Sequence, residues 1–294
     1  MIHFSRAAVL CVAILAATPT FARDCGPDAL GVSRTIAIGP KGAALGLQSY
    51  PRTLDLADRE VVLTFDDGPA APTARVLDAL AKECARATFF IIGRNAEETP
   101  ALVKRAAAEG HTIGNHSYSH PAMTLRLLED NDAKADIEKG IKAVERAIGD
   151  KTAPFFRFPG FADTPALVSY LEGKGYTIFG SDLWASDWSP MSPKGELDLV
   201  MSRLEKAGKG IVLFHDSKAQ TAQMLPDFLR ALKARGYRLV HIAPGEGETP
   251  IVEAGPGWSS TTEPIIAKTL AGKSKLPRGA DPGAEGHRHP AGDD

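Results

Sequence analysis

The sequence predicts an α/β chain built on a parallel sheet, either closed as a barrel or open and doubly wound. Three observations carry this. Short apolar stretches alternate with segments of helical periodicity through the middle of the chain. Glycines stand where those helical segments hand over to strands. The residues able to do chemistry fall at the carboxyl ends of the strands, the rim where barrels and open α/β sheets both assemble their sites.

At the N-terminus, Arg6 precedes an apolar run from Ala7 to Ala17, followed by Thr18-Pro19-Thr20-Phe21-Ala22. A basic start, a short apolar core and a small final residue make a secretory signal peptide over residues 1–22. The run is too short to span a bilayer comfortably, so the mature chain is expected to be periplasmic or secreted, with no transmembrane helix. Cys11 leaves with the signal. Cys25 and Cys84 remain as an even pair in an oxidising compartment and are expected to form a disulfide, although Cys84 also has the helical spacing of a buried thiol. Residues 23–59 read as an N-terminal extension with a turn at Gly39-Pro40-Lys41-Gly42. The formal net charge of −2 leaves no electrostatic footprint for nucleic acid.

The strands expected in residues 60–244 are Val61–Phe65, Ala87–Ile92, His111–Asn115, Phe155–Phe158, Tyr176–Ser181, Ile211–His215 and Tyr237–Ile242. Thr99-Pro100 and Thr164-Pro165 read as helix caps followed by a first-turn proline. Gly110, Gly175 and Gly236 read as left-handed helix ends. The longest helix is expected over Glu129–Ile148, with Ile137, Ile141, Val144 and Ile148 on one face. From Gly245 onward Gly, Pro, Ala and Thr dominate, and residues 245–294 read as a mobile tail with a short ordered piece around Trp258.

The chemistry begins where the first strand runs into Asp66-Asp67-Gly68-Pro69. Alone, two acids before Gly-Pro read as a turn. With histidines elsewhere they read as one carboxylate on a divalent cation and one free as a base. His116 and His120 are four apart, the spacing of one helical turn, and Asp plus two His suits zinc with open positions for water. Arg157 lies in an aromatic run and needs an anionic partner if buried. Gly160 lets its backbone N–H approach a ligand closely. Trp184 and Trp188, mixed with Asp182 and Asp187, suit stacking on sugar rings, though tryptophans also serve as plain core. His215-Asp216 ends the sixth strand, where a core histidine and a helix cap are the bland alternative.

Together these stretches resemble the polysaccharide deacetylases, carbohydrate esterase family four. Thr64-Phe65-Asp66-Asp67-Gly68-Pro69 and His116-Ser117-Tyr118-Ser119-His120 match its first two motifs. Arg157-Phe158-Pro159, Asp187-Trp188 and Leu213-Phe214-His215-Asp216 match the other three. The resemblance implies a distorted (β/α)7-type barrel with its active site at the C-terminal strand ends, and a divalent metal, usually Zn2+. It implies Asp67, His116 and His120 as ligands, Asp66 as general base, Arg157 orienting Asp66, and His215 as general acid. Leu213 and Trp188 would shape the pocket for an acetyl methyl. Two departures stand out. Gly160 and Phe161 are swapped relative to the usual third motif, leaving Gly160 as the backbone oxyanion donor. Trp184 occupies a place usually held by an acid, so Asp182 or Asp187 is left to tune His215, with Asp187 preferred. The expected function is an exported, metal-dependent deacetylase of an N-acetylated polysaccharide, peptidoglycan or chitin-like. The alternatives are deacylation of O-acetylated xylan or a small amide, or a non-catalytic carbohydrate-binding role.

Overall fold

The computed structural model describes residues 25–276 other than 122 and 123. The expected signal peptide and everything after residue 276 lie outside them. The extension contributes β1 (Arg34–Ile38), β2 (Ala44–Leu45) and β3 (Arg52–Leu54). Next come β4 (Glu60–Asp66), α1 (Thr73–Lys82), β5 (Thr88–Ile91), α2 (Gly93–Glu98), α3 (Pro100–Ala108) and β6 (Thr112–Asn115). They are followed by α4 (Asp130–Ile148), β7 (Phe155–Phe156), α5 (Pro165–Glu172), β8 (Thr177–Phe179) and β9 (Leu183–Trp184). The chain continues through α6 (Pro193–Ala207), β10 (Gly210–His215), α7 (Ala219–Ala234), β11 (Arg238–Pro244), β12 (Ile251–Glu253) and α8 (Thr262–Leu270).

Strands β9, β10, β4, β5, β6, β7 and β8 pair in that order, all parallel, and form a distorted (β/α)7 barrel. The distortion has an identifiable source. The outer edge of β8 pairs with β2 from the extension, and no described ladder joins β8 to β9. The strand expected over Tyr237–Ile242 forms as β11, but it meets only the foot of β4 and pairs along its length with β1. The seventh barrel strand is instead the two-residue β9, which is too short to show any alternation in sequence.

β4 is buried at all seven positions, as a strand covered on both faces must be. Its odd-numbered side chains, Val61, Leu63 and Phe65, pack outward with the helices. Val62 joins the core inside the barrel, and the period of two sends Thr64 and Asp66 the same way. Phe65 stacks between Phe89 and Phe214 with ring centroids 5.1 and 5.5 Å away. α4 turns Ile137, Ile141 and Val144 inward and ends at Gly149 with φ 85°. Thr164 caps α5 as expected, its Oγ1 accepting from the Leu167 N–H. Thr99 does not cap α3: its hydroxyl donates back to the Asn95 carbonyl of the preceding helix.

The segment read as a mobile tail is packed as far as Leu276. β12 pairs antiparallel with β3, and α8 lies against the turn at Pro159–Phe161. Trp258 Nε1 donates to the Leu47 carbonyl, and the Thr261 and Thr262 N–H groups donate to that of Gln48. A segment poor in apolar residues is ordered here by hydrogen bonds to the extension, which its own composition cannot reveal. Cys25 and Cys84 are joined by a disulfide, their Cα atoms 6.0 Å apart.

Phe65→Ala removes the ring at the centre of this stack and should cost about 3–5 kcal/mol. Urea denaturation checks it, with a lower midpoint at unchanged slope the expected outcome.

Candidate active site and metal centre

The parallel register of β4 and β10 places His215 opposite Asp66. The adjoining loops add Asp67, His116, His120, Arg157 and Asp187, and every one of these side chains is buried.

Arg157 is the most enclosed. It lies just past β7, its side chain with no exposed surface. Nη1 donates to Asp66 Oδ1 at 2.8 Å and to Thr64 Oγ1 at 2.9 Å. Nε and Nη2 donate to the carbonyls of Phe179 and Gly180 at 3.0 and 2.7 Å, and the guanidinium lies over Phe90. Burial lowers its pKa and Asp66 opposes that shift. The guanidinium thus locks Asp66 Oδ1, while Oδ2 faces His116 Nε2 at 3.9 Å.

Asp67, His116 and His120 converge on one point, with a ligand atom of each within 4.8 Å of the others. Both imidazole Nε2 atoms approach Asp67 Oδ1, at 3.5 and 3.4 Å. Those separations fit a shared cation, because a tetrahedral zinc with bonds of about 2.0–2.2 Å holds its donors about 3.3–3.6 Å apart. His116 Nδ1 lies 2.7 Å from the Arg157 carbonyl, which can only accept. The proton is therefore on Nδ1, and Nε2 presents its lone pair to the cluster. Asp216, with no exposed surface, is pushed up to about 7, chiefly by burial and less by nearby Asp67, while Thr73 Oγ1, donating at 2.5 Å, opposes the shift. Asp216 does not cap α7, whose N-cap position is Lys218, but lies against Gly68, where an added Cβ would fall 2.0 Å from its Oδ2.

The histidine pair does not sit on a helical turn. It lies on a loop in which Ser117 and His120 have φ of 64° and 48°, and Asp67 has φ of 70°. Non-glycine residues in this region are uncommon, and they persist where the surroundings over-determine them. Here the clamp is Asp136 of α4. Its Oδ1 accepts from the Tyr118 and Ser119 N–H groups at 2.9 and 3.3 Å, and its Oδ2 from Ser119 Oγ at 2.6 Å. Gly140, one turn on, lets the helix approach so closely that a Cβ there would lie 2.5 Å from the Ser117 carbonyl carbon. Sequence reasoning missed Asp136, although a buried acid on the apolar face of α4 is the signal that could have found it.

His215 is paired with Asp187, not Asp182. Its Nδ1 lies 2.7 Å from Asp187 Oδ1, and its backbone N–H donates to Oδ2 at 2.6 Å. Thr221 Oγ1 also donates to Oδ2, at 2.8 Å. Burial alone would depress the imidazole, but Asp187, with Asp67 and Asp66 behind it, pushes His215 up to about 9. Its Nε2 points into the site, 3.9 Å from Asp67 Oδ2. Asp182 instead accepts from the Leu47 and Ile211 N–H groups and from Thr53 Oγ1, fastening the extension to β10. Also missed was Glu196 of α6, a fully buried carboxyl near this pair, pushed up to about 8 by burial and then by Asp187.

Trp184 and Trp188 form an aromatic wall with Phe161. Phe161 and Trp184 stack at 6.3 Å, the two tryptophans meet edge-on at 5.6 Å, and Trp188 meets His215 edge-on at 5.9 Å. Leu213 is buried on β10, in register with Trp184. Gly160 and Phe161 both have left-handed φ, 59° and 57°. The N–H groups of Phe161 and Ala162 are spent on the Phe158 and Pro159 carbonyls, so Gly160 is the candidate donor in this turn.

Three comparisons bear on the arrangement. The family model for polysaccharide deacetylase matches residues 54–179. A peptidoglycan-N-acetylglucosamine deacetylase of Bacillus cereus is 35% identical over 192 residues, covering 63% of this chain and 87% of the relative. A chitin deacetylase of Colletotrichum lindemuthianum is 31% identical over 202 residues, covering 65% and 80%. Among solved structures, a Bdellovibrio bacteriovorus peptidoglycan deacetylase superposes with a TM-score of 0.64 at 33% identity, over 78% of this chain and 61% of that one.

The contact between α4 and the histidine loop gives a specific test. Gly140→Ala should push the loop off Asp67 and weaken binding of an added divalent cation roughly tenfold or more, as loss of supporting contacts does at metal sites. Competition with a chromophoric chelator reads the affinity, and an unchanged far-ultraviolet circular dichroism spectrum shows that the fold survives.

Proposed function

We infer that this chain, which belongs to the polysaccharide deacetylase family, is an exported, metal-dependent hydrolase of N-acetyl groups on an aminosugar polymer of the peptidoglycan or chitin type. The observation that carries this is the flanking of one cation cradle by two differently tuned pairs. Asp66 with Arg157 stands on one side, and His215 with Asp187 on the other.

Amide hydrolysis needs an activated water, a stabilised oxyanion and a proton for a poor amine leaving group. Asp67, His116 and His120 would hold a divalent cation, most simply Zn2+, which when bound would supply Lewis acidity to make water acidic near neutral pH and to polarise the acetamide carbonyl. Asp66 takes a proton from the attacking water through Oδ2, because Arg157 occupies Oδ1. His215, protonated at neutral pH and oriented through Nδ1, delivers its Nε2 proton to the departing amine. The Gly160 N–H supports the oxyanion, a role whose loss typically costs about 10²–10³ in rate. Trp188 and Leu213 close around the acetyl methyl, and Trp184 offers its face to a sugar ring. Export rests on residues 1–22 and on the Cys25–Cys84 disulfide, a bond that persists in oxidising compartments.

Acetate release from N-acetylglucosamine oligomers and from purified peptidoglycan, with metal-stripped and zinc-reloaded protein, tests this reading. Zinc should restore release, and Asp66→Asn should lower it by about 10²–10⁴. No release from either polymer with zinc bound would overturn the assignment. The pH profile gives a second check. The acid must be protonated, so activity is lost as pH rises through its pKa. Asp187→Asn removes the charge that raises His215 and should move the alkaline limb of kcat/KM to lower pH.

A further inference from the structure

The turn bearing Gly160 is held by an ionic knot that draws on both ends of the described chain. Arg126, on the segment that follows His120, donates through Nε to the Asp163 carbonyl. Its Nη1 and Nη2 form a two-pronged pair with Glu263 of α8, at 2.8 and 2.7 Å, and Nη2 lies 3.6 Å from Asp163 Oδ1. Tyr50 of the extension donates to Asp163 Oδ2 at 2.6 Å. Beside it, Thr124 Oγ1 donates to the Ala162 carbonyl at 3.2 Å. The carbonyls of residues 162 and 163 are therefore both fastened from the histidine side. Arg126 is in turn fastened by a helix beyond the region matched by the family. Past α8 the chain returns to the same segment, where the Leu276 N–H donates to the Leu127 carbonyl at 2.7 Å.

We propose that Arg126 is a positioning residue completed by Glu263, and that the pair sets the orientation of the Gly160 N–H through Asp163. An exposed ion pair by itself contributes little. This one differs because its fork is bidentate, Asp163 and Tyr50 extend it into a network, and it bears on a turn with two successive left-handed residues. Such a turn keeps its shape only while its flanks are held. The proposal rests on the reading of Gly160 as the oxyanion donor.

The test compares Arg126→Ala, Arg126→Lys and Glu263→Gln with wild type in the full chain. It measures kcat and KM on N-acetylglucosamine oligomers, zinc affinity, and amide hydrogen exchange over residues 159–164. Small misplacements of catalytic groups can cost up to 10² in rate, so kcat should fall about tenfold in both Arg126 variants and about threefold in Glu263→Gln. KM and zinc affinity should hold, and exchange in the turn should rise. Lysine should not rescue, because it carries the charge without the fork. Unchanged exchange, rising exchange at unchanged kcat, rescue by lysine, or a parallel loss of zinc affinity would each overturn the proposal. If wild type with zinc bound releases no acetate, the proposed function fails on its own, and the exchange measurement still reports whether the knot holds the turn.

Discussion

A guanidinium with no access to water sits at the centre of this barrel, and much of the site depends on how it is satisfied. Burying Arg157 is costly unless its donors all find partners. Each of its three nitrogens donates at least once, to Asp66, Thr64 and the carbonyls of Phe179 and Gly180, with Phe90 beneath the plane. The same contacts tie β4 to the end of β8 across the barrel interior. One carboxylate oxygen of Asp66 is consumed in the exchange, and the other is left aimed at the metal cradle. The backbone of Arg157 takes part as well, because its carbonyl selects the His116 tautomer that presents Nε2 to a cation. Barrel packing and the geometry of the candidate site thus both pass through one residue, so its replacement would disturb both.

Strand parity explains why the acid pair can divide its labour. Asp66 is the last inward residue of β4, in line with Val62 and Thr64, so it joins the interior network. Asp67 leaves the strand with a left-handed backbone, which sends its carboxylate toward the histidines instead. Adjacent carboxylates would otherwise repel in a buried site. Here each faces a different positive partner, Arg157 for one and a cation position for the other. The same separation holds across the site, where Asp187 lies behind His215 and keeps its proton in place.

The chain outside the family-matched region packs onto the barrel rather than trailing from it. β2 occupies the edge of β8 that a regular barrel would give to its neighbour, Asp182 fastens the extension to β10, and β12 pairs with β3. Strand edges are thereby covered by residues distant in sequence, which also removes them as pairing surfaces.

Motif residues with a strong chemical identity were legible in the sequence. Asp66-Asp67, His116, His120, Arg157, Asp187 and His215 stand out because ionisable groups at the ends of apolar strands demand explanation. The alternation that defines strands and the stripe that defines α4 are local, and they too could be read directly. What escaped was set by contacts between distant segments. The helical reading of the histidine pair failed because Asp136 and Gly140 hold that loop in a left-handed conformation from seventeen or more residues away. The seventh barrel strand went unseen because two residues carry no period, and the order beyond Gly245, apart from the piece around Trp258, went unseen because its hydrogen-bond partners lie near residue 48. The sequence by itself determined which side chains are candidates for the chemistry and that they fall near strand ends, since residue type and period are local properties. Only the tertiary structure decided which acid pairs with His215, how the ligand loop bends and what covers the open edges, because those outcomes depend on which distant groups satisfy buried charges and backbone.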